Sequence, residues 1–459
     1  MKVSNGMKIS EIIKVTRGSL ISGCPETDID PAGISIDSRT IGAGQFFIPM
    51  KGNNFNGEEF IEAAFKNGAT GTFTTQYTIR NTRYNRVIIQ VKDTIDALQR
   101  LARYNRMKFR APVIGVTGSN GKTTVKDMIA KVLSSKFNVL KNEGTKNNHI
   151  GVPLTLLKLN DSHDMCVVEM GTSHSGEIRL LAGIARPTVA VITNIGPSHL
   201  EFLKDLKGVF AAKREILEIL DRGSLVVING DDEYLSTIKS KVFKVMRFGF
   251  NVANDFQASG VSADRAGIKF TLNDRSPLTL NLIGAHNVYN ALAAVAVAYN
   301  FDISYLAAKK ALSEYSPADM RLNARHVGDV TVIDDAYNSN PLSMKSAIEA
   351  LTEYPAKGRW IVSADMLELG QREIEFHSMV GEAIARSGFS GLITFGDLSR
   401  HTSLRALECG MDKNRVWHCS DRIEIADILN RSMDKGDAVL VKGSRAMRME
   451  EVIENLKGR

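Results

Sequence analysis

Short apolar runs alternate with longer stretches of helical period through the middle of the chain. Val113–Thr117, Met165–Met170, Thr188–Asn194 and Leu225–Asn229 are rich in valine and isoleucine. Turn residues bound each run and a helix-like segment follows it, a pattern that predicts a parallel sheet with helices on its faces. Residues 253–282 read as hairpin strands, and His286–Tyr299 as an alanine-rich helix. The alternation returns with Val330–Asp334, Trp360–Ser363, Gly391–Phe395 and Ala438–Val441. Before residue 111 the pieces are shorter: strand-like Gly33–Asp37, Gln45–Met50 and Val87–Val91, and an amphipathic helix at Glu58–Asn67. These changes of character predict an α/β protein of three domains over 1–110, 111–324 and 325–459. They read as a small α/β domain, a central parallel-sheet domain and a C-terminal Rossmann-like α/β domain.

Composition narrows the class. With 43% hydrophobic and 24% charged residues among 459, the chain has ample material for globular cores. No apolar run reaches the roughly 18 residues of a membrane span. Met1–Ile13 carries no secretory-type apolar stretch, so a cytoplasmic protein without membrane insertion is expected. Cys24, Cys166, Cys409 and Cys419 form no CxxC pair and are expected to be reduced thiols. The net charge of +7, from 58 basic against 51 acidic residues, is interspersed along the chain. It suits anionic small molecules, and no arginine-rich block speaks for nucleic acid.

The strongest chemical signal is the stretch from Pro112 to Thr124. A buried strand ends in a glycine-containing turn, and Gly121-Lys122-Thr123 opens a helix. Such a loop turns backbone N–H groups onto polyphosphate at the positive end of a helix. Lys122 is expected to reach the β- and γ-phosphates and Thr123 to ligate Mg²⁺. The spacing departs from the usual motif, since Val116 stands at the first glycine position and the glycines fall at 115, 118 and 121. Ligands of a parallel sheet sit beyond the carboxyl ends of its strands. Glu169 closes one such strand and His199 follows another. Taken singly, each is more often a solvated or loop-capping residue; beside a phosphate loop they become candidate Mg²⁺ ligands. Lys213, on a helix, reads by pattern alone as an ordinary solvated lysine.

Several further motifs make the chain resemble the Mur ligase family along essentially its whole length. They include Thr117-Gly-Ser-Asn-Gly-Lys-Thr123, Asn147-Asn-His-Ile-Gly-Val-Pro153, Glu169-Met-Gly171, His199-Leu-Glu201 and Ala212-Lys213. His286-Asn-Val-Tyr-Asn290, Arg321-Leu322, Asp334–Pro341 and Lys442-Gly-Ser-Arg445 follow in the same order, with Ser35–Arg39 near the start. The family consists of ATP-dependent amide ligases acting on UDP-linked cell-wall precursors. Tyr337–Pro341 and Asp365–Gly370 with His377 resemble the branch that adds D-alanyl-D-alanine to UDP-N-acetylmuramoyl-tripeptide through an acyl phosphate, in peptidoglycan synthesis.

The resemblance implies roles residue by residue. Gly118, Ser119, Asn120, Gly121, Lys122, Thr123 and Thr124 would hold the ATP phosphates, with Asn290 at adenine, Arg321 at the phosphates and Asp335 at the ribose. Thr123, Glu169 and His199 would serve two Mg²⁺ ions, joined by a carbamylated Lys213. Lys122, Lys213, His199 and Glu169 are the implied catalytic set. Asp37, Ser38, Arg39, Lys51, Gly52, Asn147 and Asn148 would face the UDP precursor. Tyr337, Asn338, Asn340, Lys442, Ser444 and Arg445 would lie on the side of the incoming amine. A monomer is expected. Three departures lie near the expected sugar-nucleotide: Asn56-Gly57-Glu58, Gly144-Thr145-Lys146 and Ser175. They keep a second reading open, a related ligase of the archaeal pseudomurein type acting on another UDP-linked peptide. A P-loop ATPase without ligase activity is the third; folylpolyglutamate synthase, which lacks an N-terminal domain of this kind, is disfavoured by Ser35–Arg39.

Overall fold

The computed structural model describes residues 6–52, 55–76, 86–264 and 267–456. Three main sheets follow one another along the chain. The first has five short strands in the spatial order Ser19–Ser22, Val87–Gln90, Gly71–Thr74, Phe46–Phe47 and Ile34–Ser35. All of its pairings are parallel except that of Ser19–Ser22 with Val87–Gln90. The expected strands at 33–37 and 45–50 shrink to two residues each, because the chain turns away from the sheet directly after them. Where a helix at 58–67 is expected, a 3₁₀ turn at Gly57–Phe60 leads into a helix at Ile61–Lys66.

The helix Thr94–Lys108, capped by Asp93, leaves this sheet and docks on the next. Asn105 and Arg106 are buried in that contact. Asn105 Nδ2 donates to the carbonyl of Leu156 (2.9 Å), and Arg106 Nε to that of Ala185 (2.9 Å). The burial of two polar side chains is matched by these bonds, as desolvated donors require.

The second sheet has nine strands. Val139–Lys141, Met165–Glu169, Val113–Thr117, Val189–Ile192, Leu225–Asn229, Lys244–Gly249 and Phe256–Asp264 pair in parallel in that order. Gly267–Leu272 and Leu278–Leu280 then add an antiparallel edge. The turn of the expected hairpin at 265–266 lies outside the described residues. Val113–Thr117, Met165–Glu169 and Val189–Ile192 are buried on both faces, as their unbroken apolar runs require. The helices Lys122–Leu133 and His286–Asn300 cover one face, and the second is buried nearly all round because its alanines admit close neighbours.

The third sheet runs Asn323–Val327, Val330–Asp335, Ala438–Lys442, Arg359–Ala364, Gly391–Phe395 and Val416–Cys419. Its first pairing is antiparallel and the rest are parallel. Both parallel units thus present the carboxyl ends of their strands as binding edges, at Thr117, Glu169 and Ile192 in one and at Asp335, Ala364 and Lys442 in the other. All four cysteines are free thiols, and burial pushes Cys166 up to about 12.

Candidate active site

A crevice of about 1060 Å³ lies where the edges of the second and third sheets meet. Its floor is the turn after Val113–Thr117. Gly118 (φ 144°) and Gly121 (φ 77°) occupy backbone regions that side chains avoid. A Cβ on Gly118 would come within 1.9 Å of Thr193 Oγ1, and one on Gly121 within 2.6 Å of Asn290 Oδ1. The neighbouring strand end grips the loop. Asn194 Oδ1 accepts from Asn120 N–H (2.9 Å), the Asn194 carbonyl from Ser119 N–H (2.9 Å), and Thr193 Oγ1 donates to the Asn120 carbonyl (2.5 Å). Ser119, Asn120, Gly121, Lys122, Thr123 and Thr124 line the crevice, with Gly118 directly behind.

Lys122 is folded back on its own loop, Nζ donating to the carbonyls of Gly118 (2.9 Å) and Ser119 (3.0 Å). Burial lowers its pKa, opposed by the nearby Glu169 carboxylate. Glu169 is itself buried. Its two oxygens accept from Asn147 Nδ2 (2.7 Å) and Thr123 Oγ1 (2.8 Å), and its N–H donates to Asn142 Oδ1 (2.9 Å). A carboxylate and a hydroxyl therefore meet beside the glycine loop, with the Asn147 amide nitrogen steadying the carboxylate. Such a set suits a hard cation that keeps few protein ligands and completes its shell with phosphate oxygens and water.

His199 (φ 53°) enters from beyond Val189–Ile192, and its Nδ1 lies 2.5 Å from Oε2 of Glu368. The imidazole holds the Glu368 carboxyl below the usual carboxylate range. Lys213 is 1% exposed, contrary to its solvated appearance in the sequence, and its side chain makes no hydrogen bond or ion pair among the described residues. Burial, and then the charge of Lys122, lower its pKa well below that of an ordinary lysine. It stands behind the crevice wall rather than in its lining.

Across the crevice, Asp335 accepts from Lys442 Nζ (2.6 Å) and from Leu322 N–H (3.2 Å). Burial raises the Asp335 pKa against the pull of Lys442. Lys442 also donates to the Asn338 carbonyl (2.8 Å), and the Arg321 guanidinium lies 4.1 Å from the centre of the Tyr337 ring. Asn340 caps the helix Pro341–Glu353 and its side-chain amide exchanges hydrogen bonds with that of Asn120 (2.7 and 3.2 Å). Asn147, Asn148, Asn290, Ser444 and Arg445 also line it.

The structure thus brings most of the expected residues to one crevice, but not those of the first sheet. Asp37 and Arg39 form an exposed ion pair (2.8 Å) that holds Asp37 down to about 2. Ser38 is buried beside them, its carbonyl accepting from Asn67 Nδ2 (2.8 Å), and Lys51 and Gly52 are exposed. Sequence reasoning passed over Thr193, Asp231, Asp232, Tyr289 and Glu368, all of which line the crevice. Glu368 lies in the Asp365–Gly370 stretch, the one signal that pointed to it.

Profiles of known families match three consecutive segments. They are described as the Mur ligase family catalytic domain (residues 31–106), the Mur ligase middle domain (116–298) and the Mur ligase glutamate ligase domain (320–445). A curated relative from Bacillus subtilis (strain 168) is 37% identical over 451 residues, covering 98% of both chains. The chain belongs to the Mur ligase family. That relative is named UDP-N-acetylmuramoyl-tripeptide–D-alanyl-D-alanine ligase. Among solved structures, MurF from Acinetobacter baumannii superposes with a TM-score of 0.89 at 29% identity, covering 98% of each chain. MurF ligase from Thermotoga maritima, solved in complex with ADP, gives 0.82 at 29% identity over 93% of this chain and 97% of that one. This Mur ligase is therefore of the MurF type, and no helix among its described residues is long and apolar enough to cross a membrane.

Proposed function

We propose that this chain is the ATP-dependent ligase that joins D-alanyl-D-alanine to UDP-N-acetylmuramoyl-tripeptide in peptidoglycan precursor synthesis. The observation that carries the reading is the full-length likeness to MurF-type ligases together with a crevice that unites a phosphate loop, a buried carboxylate and a basic opposite wall. Residues 118–124 cradle the ATP phosphates, Asn290 meets adenine, Arg321 the phosphates and Asp335 the ribose. Glu169, Thr123 and His199, with Lys213 as its carbamate, would hold magnesium. Bound there, the metal would offset charge gathering on the transferring phosphoryl group.

The reaction divides into two steps. The terminal carboxylate of the UDP-linked peptide attacks the γ-phosphorus of ATP, ADP leaves, and an acyl phosphate forms. The free amine of the dipeptide then attacks the acyl carbon, loses a proton and displaces phosphate. Lys122 swings from its own loop carbonyls to the developing negative charge, and Lys442, Ser444 and Arg445 face the amine side with Tyr337, Asn338 and Asn340. The UDP precursor spans from Asp37, Ser38, Arg39, Lys51 and Gly52 to Asn147 and Asn148. The divisions near residues 110 and 324 separate three domains that enclose the acyl phosphate from water. We place the working enzyme in the cytoplasm as a monomer.

The test is phosphate release by the purified protein with UDP-tripeptide, with and without D-alanyl-D-alanine. Release that depends on both, with a product heavier by one dipeptide residue, is expected. Consumption of ATP only with a single amino acid would contradict the reading and favour a pseudomurein-type ligase.

A further inference from the structure

His199 and Glu368 come from opposite sides of the crevice, yet their side chains meet, Nδ1 to Oε2 at 2.5 Å. The approach is not a chance meeting of two flexible side chains. Glu368 lies in the left-handed region (φ 63°), a conformation that persists only where its surroundings hold it. The residues just before it are tied into the third unit. Leu367 N–H donates to Ser444 Oγ (2.9 Å) and Met366 N–H to His377 Nε2 (3.0 Å). Asp365 accepts from the N–H groups of Ser399 (2.7 Å) and Ser444 (3.0 Å).

Two backbone contacts repeat the side-chain one. Glu201 N–H donates to the Glu368 carbonyl (3.2 Å), and Gly370 (φ 65°) packs so closely that a Cβ there would meet the Glu201 backbone at 3.2 Å. The segment is thus shaped to receive the loop that carries His199. The other ring nitrogen, Nε2, has no hydrogen-bond partner among the described residues. A histidine that ligates a metal through one nitrogen usually has its other nitrogen bound to a carboxylate or carbonyl, which fixes the tautomer and the ring plane.

We propose that Glu368 is a positioning residue that orients the His199 ring through Nδ1 and leaves Nε2 as the ligating nitrogen. Because Glu368 arrives with the third sheet, the metal site is complete only when the two parallel units are together. Nucleotide-bound metal and domain closure are thereby coupled through one hydrogen bond. The inference rests on the reading of His199 as a metal ligand.

The test uses the full-length protein saturated with a non-hydrolysable ATP analogue and titrated with Mn²⁺, whose binding is followed by electron paramagnetic resonance. Glu368→Ala should weaken Mn²⁺ binding about tenfold or more. Glu368→Gln keeps an acceptor oxygen for Nδ1–H but loses the charge, so its loss should be smaller. Affinity for the analogue without metal, and the melting temperature, should stay at the wild-type values, since the Glu368 side chain is 48% exposed. Mn²⁺ affinity within twofold of wild type in Glu368→Ala would overturn the proposal while leaving the ligase reading intact. So would an equal loss of analogue affinity without metal, which would mark a general loosening of the crevice. A wild-type protein that binds no more Mn²⁺ than the free nucleotide does would remove the assignment of His199 itself.

Discussion

Two lysines about the phosphate loop meet different surroundings, and their chemistry should differ accordingly. Lys122 is held by two carbonyls of its own loop, from which it can turn to an anion. Lys122→Ala should therefore abolish ligase turnover, by 100-fold or more on the scale of lost transition-state charge stabilisation (about 3 kcal/mol). Its stability should fall by only about 1–2 kcal/mol, from lost hydrogen bonds. Turnover near wild type, measured by phosphate release, would contradict the phosphate-loop assignment. Lys213 has no such partners, and an uncompensated ammonium in its buried place would be costly. The burial that lowers its pKa would supply the neutral amine that reaction with CO₂ requires, and the carbamate proposed there would be an anionic oxygen ligand. Lys213→Ala should lose most activity and regain part of it when small carboxylic acids fill the vacated space; an unchanged rate would refute the carbamate. The local sign of this burial is an apolar helix face: Val209, Ala212 and Ile216 beside Lys213 are buried with it, although a single lysine on such a face reads first as solvated.

Elements were legible where the chain's own pattern decides them. Val113–Thr117 and Leu225–Asn229 have the bounds that their apolar runs suggest, because a strand buried on both faces must be apolar throughout. Phe46–Phe47 and Ile34–Ser35 are too short for periodicity to set their ends, and pairing with neighbouring strands defines them instead. The glycine turn after Val113–Thr117 was legible because its glycines are a local steric necessity. Gly118→Ala should show this: its Cβ would overlap Thr193 Oγ1, so loop and strand end must part. A loss of roughly 1–3 kcal/mol from the backbone conformation alone, with weaker ATP binding, is expected. Gly144→Ala is the control, because its positive φ (51°) is a region side chains can enter and no atom lies within 4 Å of the added Cβ. It should cost about 1 kcal/mol. Equal melting temperatures for the two variants would contradict the account. By contrast, the pairing of Asn120 with Asn340 and of His199 with Glu368 joins residues far apart in the chain, where no sequence pattern announces a partner.

For the whole molecule, the crevice between two parallel units also sets a response to acid. His286, at the start of the helix His286–Asn300, is lowered to about 4 by burial and by the charge of Lys442. Above about pH 6.5 it is neutral in folded and unfolded chains alike. Between about 6.5 and 4 the unfolded chain takes up a proton that the folded one refuses, so stability falls as pH falls, by roughly 1.4 kcal/mol per unit from this group. Denaturant titrations at several pH values should show that His286→Gln flattens this slope; an identical slope in the variant would contradict it.

Joining the peptide carboxylate to an amine through an acyl phosphate is the central claim, and the phosphate released in the complete reaction tests it most directly. The terminal carboxylate of the UDP-tripeptide would be labelled with heavy oxygen, the enzyme supplied with ATP, magnesium and D-alanyl-D-alanine, and the phosphate analysed by mass. One labelled oxygen in each phosphate is predicted, since the acyl C–O bond breaks when the amine displaces the phosphoryl-bearing oxygen. Phosphate carrying no label from the peptide would mean that ATP is hydrolysed without activating the carboxylate, and would contradict the account.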